Sequence, residues 1–336
     1  MNSGFWGKLK KPMMVLAPMA NVTDAAFRRI IAKYGKPDVM WTEFVSADGL
    51  MSAGKEKLMV DLRYSENERP IVAQLFSGNP EKMYEAGKLV KKLGFDGLDI
   101  NMGCPDRSIE KSGAGAALIK NPALARAVLR SAKEGAYPLP VSVKTRLGYN
   151  KDELETWLPE LLAEKPSAII LHARTRKEMS KVPAHWERVK RAVEIRNELK
   201  SETLILGNGD VMSIADAYKR IVETEADGVM LGRAIFGNPW LFANSRELAN
   251  GENTSQTLME RLGVMVEHTK LFEELLGKVK NFAIMKKHFK AYVANPGEPG
   301  RPREGFIGAK ELRVKLMETE TAGEVEALVQ EFLATK

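Results

Sequence analysis

The chain has 336 residues, 44% of them hydrophobic and 28% charged, with a formal net charge of +7, which is ordinary for a soluble globular protein of one large domain or one large and one small. Cys104 is its single cysteine, which excludes an internal disulfide and an all-cysteine metal site and suits a reducing compartment, most simply the cytoplasm. No segment approaches the ~18 uninterrupted apolar residues of a membrane span.

The first stretch, MNSGFWGKLKKPMMVLAPMA, has lysines before an apolar run, but Pro18 breaks the run and no signal-peptide cleavage pattern follows. Short apolar or β-branched runs then recur between turn residues. The first four are MMVLAPM (13–19), VMWTEFVS (39–46), IVAQLFS (71–77) and GLDINMG (97–103). The next four are PVSVKTR (140–146), AIILHAR (168–174), TLILGNG (203–209) and GVMLGRA (228–234). Their starts lie 25 to 43 residues apart, and segments with helical spacing separate most of them, such as 81–94 and 186–199. Alternating strands and helices require parallel strands joined by crossovers. Near-continuous apolar runs suit strands covered on both faces. Eight such units predict an α/β fold of the (β/α)8 TIM-barrel type. A doubly wound open sheet competes, but no Gly-rich turn of the dinucleotide-binding kind follows the first run.

After about residue 245 the pattern turns helical. Residues 257–277 and 279–293 have apolar groups at helical spacing, 295–305 form a Pro/Gly loop, and 309–336 return to helix. The expected organisation is a barrel over 1–245 followed by a small C-terminal helical domain over 246–336. Between Lys278 and Lys315, ten Lys and Arg stand against three Glu, so this stretch alone holds a balance of +7. A focused basic block suits a polyanionic partner, and a solvated lysine-rich face is the plain alternative. Within it, Phe282, Met285, Phe289 and Tyr292 share one helix face, while Lys280, Lys286, Lys287 and Lys290 project from others. Arg301, Arg303, Lys310 and Arg313 extend the patch.

A (β/α)8 barrel carries its site at the C-terminal ends of its strands. The polar groups expected there are Asn21, Glu43, Gln74, Asn101, Cys104, Lys144, Arg146, His172, Arg174, Asn208, Asp210 and Arg233. Each alone has an ordinary explanation: a helix cap, a structural histidine, a small buried thiol. Their convergence on one rim is what points to a site. Gly209 and Gly232 at the last two strands allow backbone N–H groups to approach an anion, and Arg233 adds a fork of donors. A phosphate there would put the polar edge of an attached ring system near Lys144 and Gln74.

Nine segments resemble the tRNA-dihydrouridine synthase family, in that family's order. They are APMANVTDAAFR (17–28), TEFVSADGL (42–50), AQLFSGNPE (73–81), GLDINMGCP (97–105), KSGAGAALIKNP (111–122), VSVKTRLG (141–148), LHARTR (171–176), GNGDV (207–211) and DGVMLGRAIFGNPWLF (227–242). KKHFKAYV (286–293) and GAKELRVKLM (308–317) are similar to its C-terminal helical domain. The resemblance implies tightly bound FMN held by Pro18, Met19, Ala20, Gln74, Lys144, His172, Asn208, Gly209, Asp210, Gly232 and Arg233. It implies that Asn101 and Arg146 hold the uracil, that Cys104 gives the proton, and that NADPH is the usual electron donor. The implied substrate is a D-loop uridine of tRNA, gripped by Lys286, Lys287, Lys290 and Arg313, with no membrane and no metal; a monomer is the default. Two departures stand out: the sixth-strand motif reads HARTR rather than HGRTR, with Ala173, and the loop 294–307 is longer than usual.

Saturating the 5,6 bond of uracil adds a hydride to one carbon and a proton to the other, and a reduced flavin supplies the hydride. A thiol, with a reference pKa of ~8.5, is mostly protonated at neutral pH and can be the acid. Lys144 would stabilise negative charge on the reduced ring. The small and polar stretch 105–116 is expected to close over the substrate as a lid. Two rival readings of the sequence remain open: an FMN barrel acting on a free pyrimidine, and an RNA-binding protein without catalysis.

Overall fold

The computed structural model describes residues 4–243, 245, 256–294 and 306–335. Eight strands form one parallel sheet: β1 Met13–Leu16, β2 Met40–Ser46, β3 Ile71–Phe76, β4 Gly97–Met102, β5 Val141–Arg146, β6 Ala168–His172, β7 Leu204–Asn208 and β8 Gly228–Leu231. Their order is β1-β8-β7-β6-β5-β4-β3-β2. The ring closes through the parallel bridge Val15↔Val39, with the Leu16 N–H donating to Val39 O at 3.2 Å. The eight expected runs are these strands, in a TIM-barrel arrangement. Several runs overshoot the ladder by two or three residues. Pro18 lacks the N–H a ladder needs, and the chain after β8 turns at once into a 3-10 turn over Arg233–Ile235.

Side chains alternate across each strand, and along the inward faces the chemistry changes from apolar to polar. Met13, Val15, Trp41, Val72, Ile170, Leu206 and Met230 fill the lower barrel with Trp6 from the short helix Gly4–Lys8, which plugs the N-terminal end. One step further along the strands the inward positions become Gln74, Asn101, Lys144, His172 and Asn208. The ladder register puts Asn101 beside Lys144, Arg146 beside His172 and His172 beside Asn208. The outward faces pack into a continuous core with the surrounding helices.

The C-terminal helices are Leu258–Leu276, Ala283–Val293, Ala309–Leu316 and Ala322–Ala334. The stretch read as one helix from 309 is two, because Thr321 caps a new start by accepting the Glu324 N–H. The expected domain boundary after residue 245 lies at the edge of the described residues, and most of the loop 294–307 lies outside them, with Arg301 and Arg303.

These helices are anchored on the first barrel helix, Ala25–Tyr34. Phe27 stacks on His268 with centroids 4.8 Å apart and meets the edge of His288 at 4.6 Å. Glu267 accepts from Lys33 Nζ at 2.7 Å and Tyr34 Oη at 2.6 Å. Met285, Phe289 and Tyr292 are buried as their spacing predicts, with His288 among them. Lys280 corrects the sequence reading. It does not project outward but is wedged between Glu43 at 2.5 Å and Asp61 at 2.7 Å. It precedes the helix, which begins only at Ala283, so helical spacing did not apply to it. Lys287, Lys290, Lys310 and Arg313 are exposed and Lys286 half-exposed, and none of the five is ion-paired among the described residues. No helix in the described residues is long and apolar enough to cross a membrane.

Candidate active site

A cavity of about 240 Å³ opens at the C-terminal end of the barrel. Eleven of the expected residues line it: Pro18, Met19, Lys144, Arg146, His172, Arg174, Asn208, Gly209, Asp210, Gly232 and Arg233. Ala20 is exposed beside it, and Gln74, Asn101 and Cys104 stand outside its lining but are tied to it.

The β7–β8 side is built for close approach. Asn208 donates through Nδ2 to Met230 O at 2.8 Å and accepts from Lys144 Nζ at 3.2 Å. Gly209 has φ +130°, and a Cβ there would sit 2.9 Å from the Ala184 side chain, so no larger residue fits. Its carbonyl accepts from Trp186 Nε1 at 2.9 Å. Asp210 joins two guanidiniums, Arg174 on one oxygen and Arg233 on the other at 2.5 Å. Burial opposes its charge, but the Ala184 N–H and Arg174 outweigh that and hold the carboxyl below its ordinary value. Arg233 remains 58% exposed, and its other donors have no partner among the described residues, which leaves them for an anion at the rim.

Three cations, Lys144, Arg146 and Arg174, crowd the adjoining wall at the ends of β5 and β6. Burial, then the neighbouring Arg146 charge, lowers the Lys144 pKa to about 8. Arg146, lowered to about 10 chiefly by burial, donates to the carbonyls of Gly103 at 2.8 Å, Thr175 at 3.1 Å and Met179 at 3.0 Å. Much of its donor capacity therefore shapes the loops around the mouth. His172 is kept neutral by burial and by the charges of Arg146 and Lys144. Arg174 Nη1 lies 3.2 Å from His172 Nε2. A guanidinium can only donate, so Nε2 accepts and the ring proton belongs on Nδ1.

Gln74, fully buried, starts a chain of hydrogen bonds toward the cysteine. It donates to Asp99 Oδ2 at 2.6 Å and accepts from Asn101 Nδ2 at 3.1 Å. Asn101 Oδ1 in turn accepts the backbone N–H groups of Gly103 at 3.1 Å and Cys104 at 2.9 Å. Asp99 also accepts from Ser142 Oγ at 2.5 Å, and burial pushes its carboxyl up to about 6. Asp99 and Ser142 were missed in the sequence. The signal was there: each is a polar residue at an inward position of an otherwise apolar run.

Cys104 is half-buried on the loop after β4. Burial pushes its thiol above the ordinary value, against the pull of the Lys144 and Arg146 charges. Its carbonyl accepts the Ala116 N–H at 3.0 Å, and Gly115 lies so close, at φ +60°, that a Cβ there would be 2.8 Å from that oxygen. This explains why the GAGAAL segment accompanies the cysteine. The stretch 105–116 holds the short helix Arg107–Lys111, and its Glu110 is paired with Arg176 Nε at 2.9 Å. Ala173, the departure in the sixth-strand motif, is buried and not left-handed, and its N–H donates to Asn208 O at 2.9 Å. A methyl is therefore tolerated there.

A family model described as dihydrouridine synthase (Dus) matches residues 15–336. The chain is 37% identical over 337 residues to a probable tRNA-dihydrouridine synthase of Staphylococcus aureus (strain COL), covering 99% of this chain and 97% of that one. It is 37% identical over 335 residues to the probable tRNA-dihydrouridine synthase 2 of Bacillus subtilis (strain 168), with the same coverage. Among solved structures, histamine dehydrogenase from Rhizobium sp. 4-9 superposes with a TM-score of 0.52 at 14% identity. That match covers 86% of this chain but only 52% of the other, and at this identity it speaks for the barrel fold alone.

Proposed function

Because this chain belongs to the dihydrouridine synthase family, we propose that it is an FMN-dependent enzyme that reduces the 5,6 double bond of D-loop uridines in tRNA with electrons from NADPH. The observation that carries the reading is the hydrogen-bonded path from Gln74 through Asn101 to the Cys104 backbone. It ties a protonated thiol to a cavity with an anion-binding end.

The residues present fit FMN. Gly209, Gly232 and the exposed Arg233 suit its phosphate, and Lys144, Asn208, His172 and the amide of Gln74 suit the polar edge of its ring. Pro18 and Met19 offer an apolar wall, Ala20 stands at the rim, and Asp210 sets the orientation of Arg233. Reduced FMN, when bound, supplies the hydride. The chain's own residues do the rest. Asn101 and Arg146 orient the uracil. Cys104, kept protonated by burial, gives its Sγ proton to the ring carbon that does not receive hydride. Lys144 keeps an ammonium in the cavity at neutral pH and stabilises negative charge that builds there.

This assignment has a pH signature. Lys144 is charged below its pKa of about 8 and neutral above it. Dihydrouridine formation therefore falls as pH rises through about 8. Lys144→Met lowers the rate by about 10²-fold and abolishes that step in the profile; an unchanged profile in the variant would contradict the role.

The polyanion suited to Lys286, Lys287, Lys290 and Arg313, unpaired among the described residues, is the tRNA backbone. That favours RNA over a free pyrimidine as substrate. The base must be extruded into the barrel mouth at a cost of a few kcal/mol, which the backbone contacts offset. Under anaerobic conditions, protein loaded with FMN should bleach with NADPH and regain its flavin absorbance when unmodified tRNA is added. A flavin that stays bleached in the presence of tRNA would refute the reading.

A further inference from the structure

Lys280 lies in the turn between the helices Leu258–Leu276 and Ala283–Val293, just before the segment that carries Lys286, Lys287 and Lys290. Its side chain is 11% exposed, with the ammonium 2.5 Å from Glu43 Oε2 and 2.7 Å from Asp61 Oδ1. Glu43 turns its other oxygen to the barrel mouth, where Oε1 accepts the Asn21 N–H at 2.5 Å.

Asn21 has φ 52°, a left-handed geometry that a non-glycine residue keeps only when its surroundings hold it. It follows Pro18 and Met19, which line the cavity. The turn is closed by the Met19 N–H donating to Thr23 Oγ1 at 2.9 Å and by Met19 O accepting from the N–H groups of Val22 and Thr23. Beyond these local bonds, the left-handed Asn21 is tied down by one carboxylate, and that carboxylate is held by one ammonium from the far end of the chain.

The electrostatics make the ammonium hard to replace. Asp24 is buried next to this turn, and its Oδ2 has no hydrogen-bond partner among the described residues. Glu43 and Lys280 both act on its charge, with opposite signs. Buried Asp24 and Glu43 and half-buried Asp61 therefore surround Lys280, while the nearby Arg28 is committed to Glu68 at 2.7 Å. Without Lys280, Glu43 is left as an uncompensated buried charge. It then turns toward water, which weakens its hold on Asn21.

We propose that Lys280 is a positioning residue that couples the helical domain to the flavin pocket, holding the turn 18–21 in shape through Glu43. The inference rests on reading the cavity as a flavin site. It gives the helices a second task beside binding RNA: the docked helices brace the wall at Pro18 and Met19.

The test compares full-length wild type, Lys280→Gln and Lys280→Arg by amide hydrogen exchange and by FMN fluorescence titration, both without RNA. In Lys280→Gln, exchange across 18–23 should quicken about tenfold and FMN affinity fall about tenfold, as expected for loss of a charged hydrogen bond. Exchange in β5 and β6 should stay as in wild type, and Lys280→Arg should restore both readouts. Unaltered exchange across 18–23 in Lys280→Gln would overturn the proposal, as would an equal rise everywhere. If Lys280→Gln does not fold, Lys280→Gln combined with Asp61→Asn removes one charge of each sign and must show the same selective rise; its absence overturns the proposal. A wild type that binds no FMN would refute the functional reading, and the exchange comparison would still decide the coupling.

Discussion

Cys104→Ala should keep FMN and tRNA binding and lose about 10²–10⁴-fold in turnover, the usual worth of a positioned general acid. That is about 3–5 kcal/mol of barrier. The thiol is suited to the role because burial holds it protonated at neutral pH, so the acid form is the resting form. Its position does not depend on its own side chain. The Asn101 amide holds the Cys104 N–H at 2.9 Å, and Arg146 holds the adjacent Gly103 carbonyl at 2.8 Å. Alanine should therefore leave the loop in place, so a loss of turnover would report chemistry rather than folding. Single-turnover oxidation of reduced enzyme by tRNA measures it; a rate equal to wild type would remove Cys104 from the mechanism.

Replacing Lys286, Lys287 and Lys290 together by Ala should weaken tRNA binding about a hundredfold at low salt. The slope of log affinity against log salt should become shallower by about 2–3, since each neutralised phosphate contributes about 0.7–0.9. Flavin content should not change. The three ammonium groups are unpaired among the described residues while the helix that carries them is anchored by buried Met285, Phe289 and Tyr292. The substitutions therefore remove charge and leave the buried anchors of the helix in place. Filter binding across a salt series reads both numbers, and an unchanged slope would put the RNA elsewhere.

The barrel was legible because its strands are covered on both faces and so leave uninterrupted apolar runs. Their ends were less so, because apolar composition continues past the ladder into the first loop residues, as at Pro18 and after Leu231. Most of the cavity lining could be read from polar residues at strand ends. The interior links, Asp99 and Ser142, were overlooked because they touch no cavity and act by orienting Gln74. Lys280 was misread for a different reason. Its partner Glu43 lies 237 residues away in sequence, and no periodicity reports a contact of that range. The helix boundary three residues later, at Ala283, turned an apparent surface lysine into a buried one.

The central claim is that this chain reduces a uridine within tRNA, and mass mapping of the RNA product tests it most directly. An unmodified tRNA incubated with the protein, FMN and NADPH should gain two hydrogens at a uridine of the D-loop, and none when Cys104→Ala replaces the wild type over the same time. A tRNA of unchanged mass, alongside turnover of free uracil or dihydroorotate by the same preparation, would contradict it.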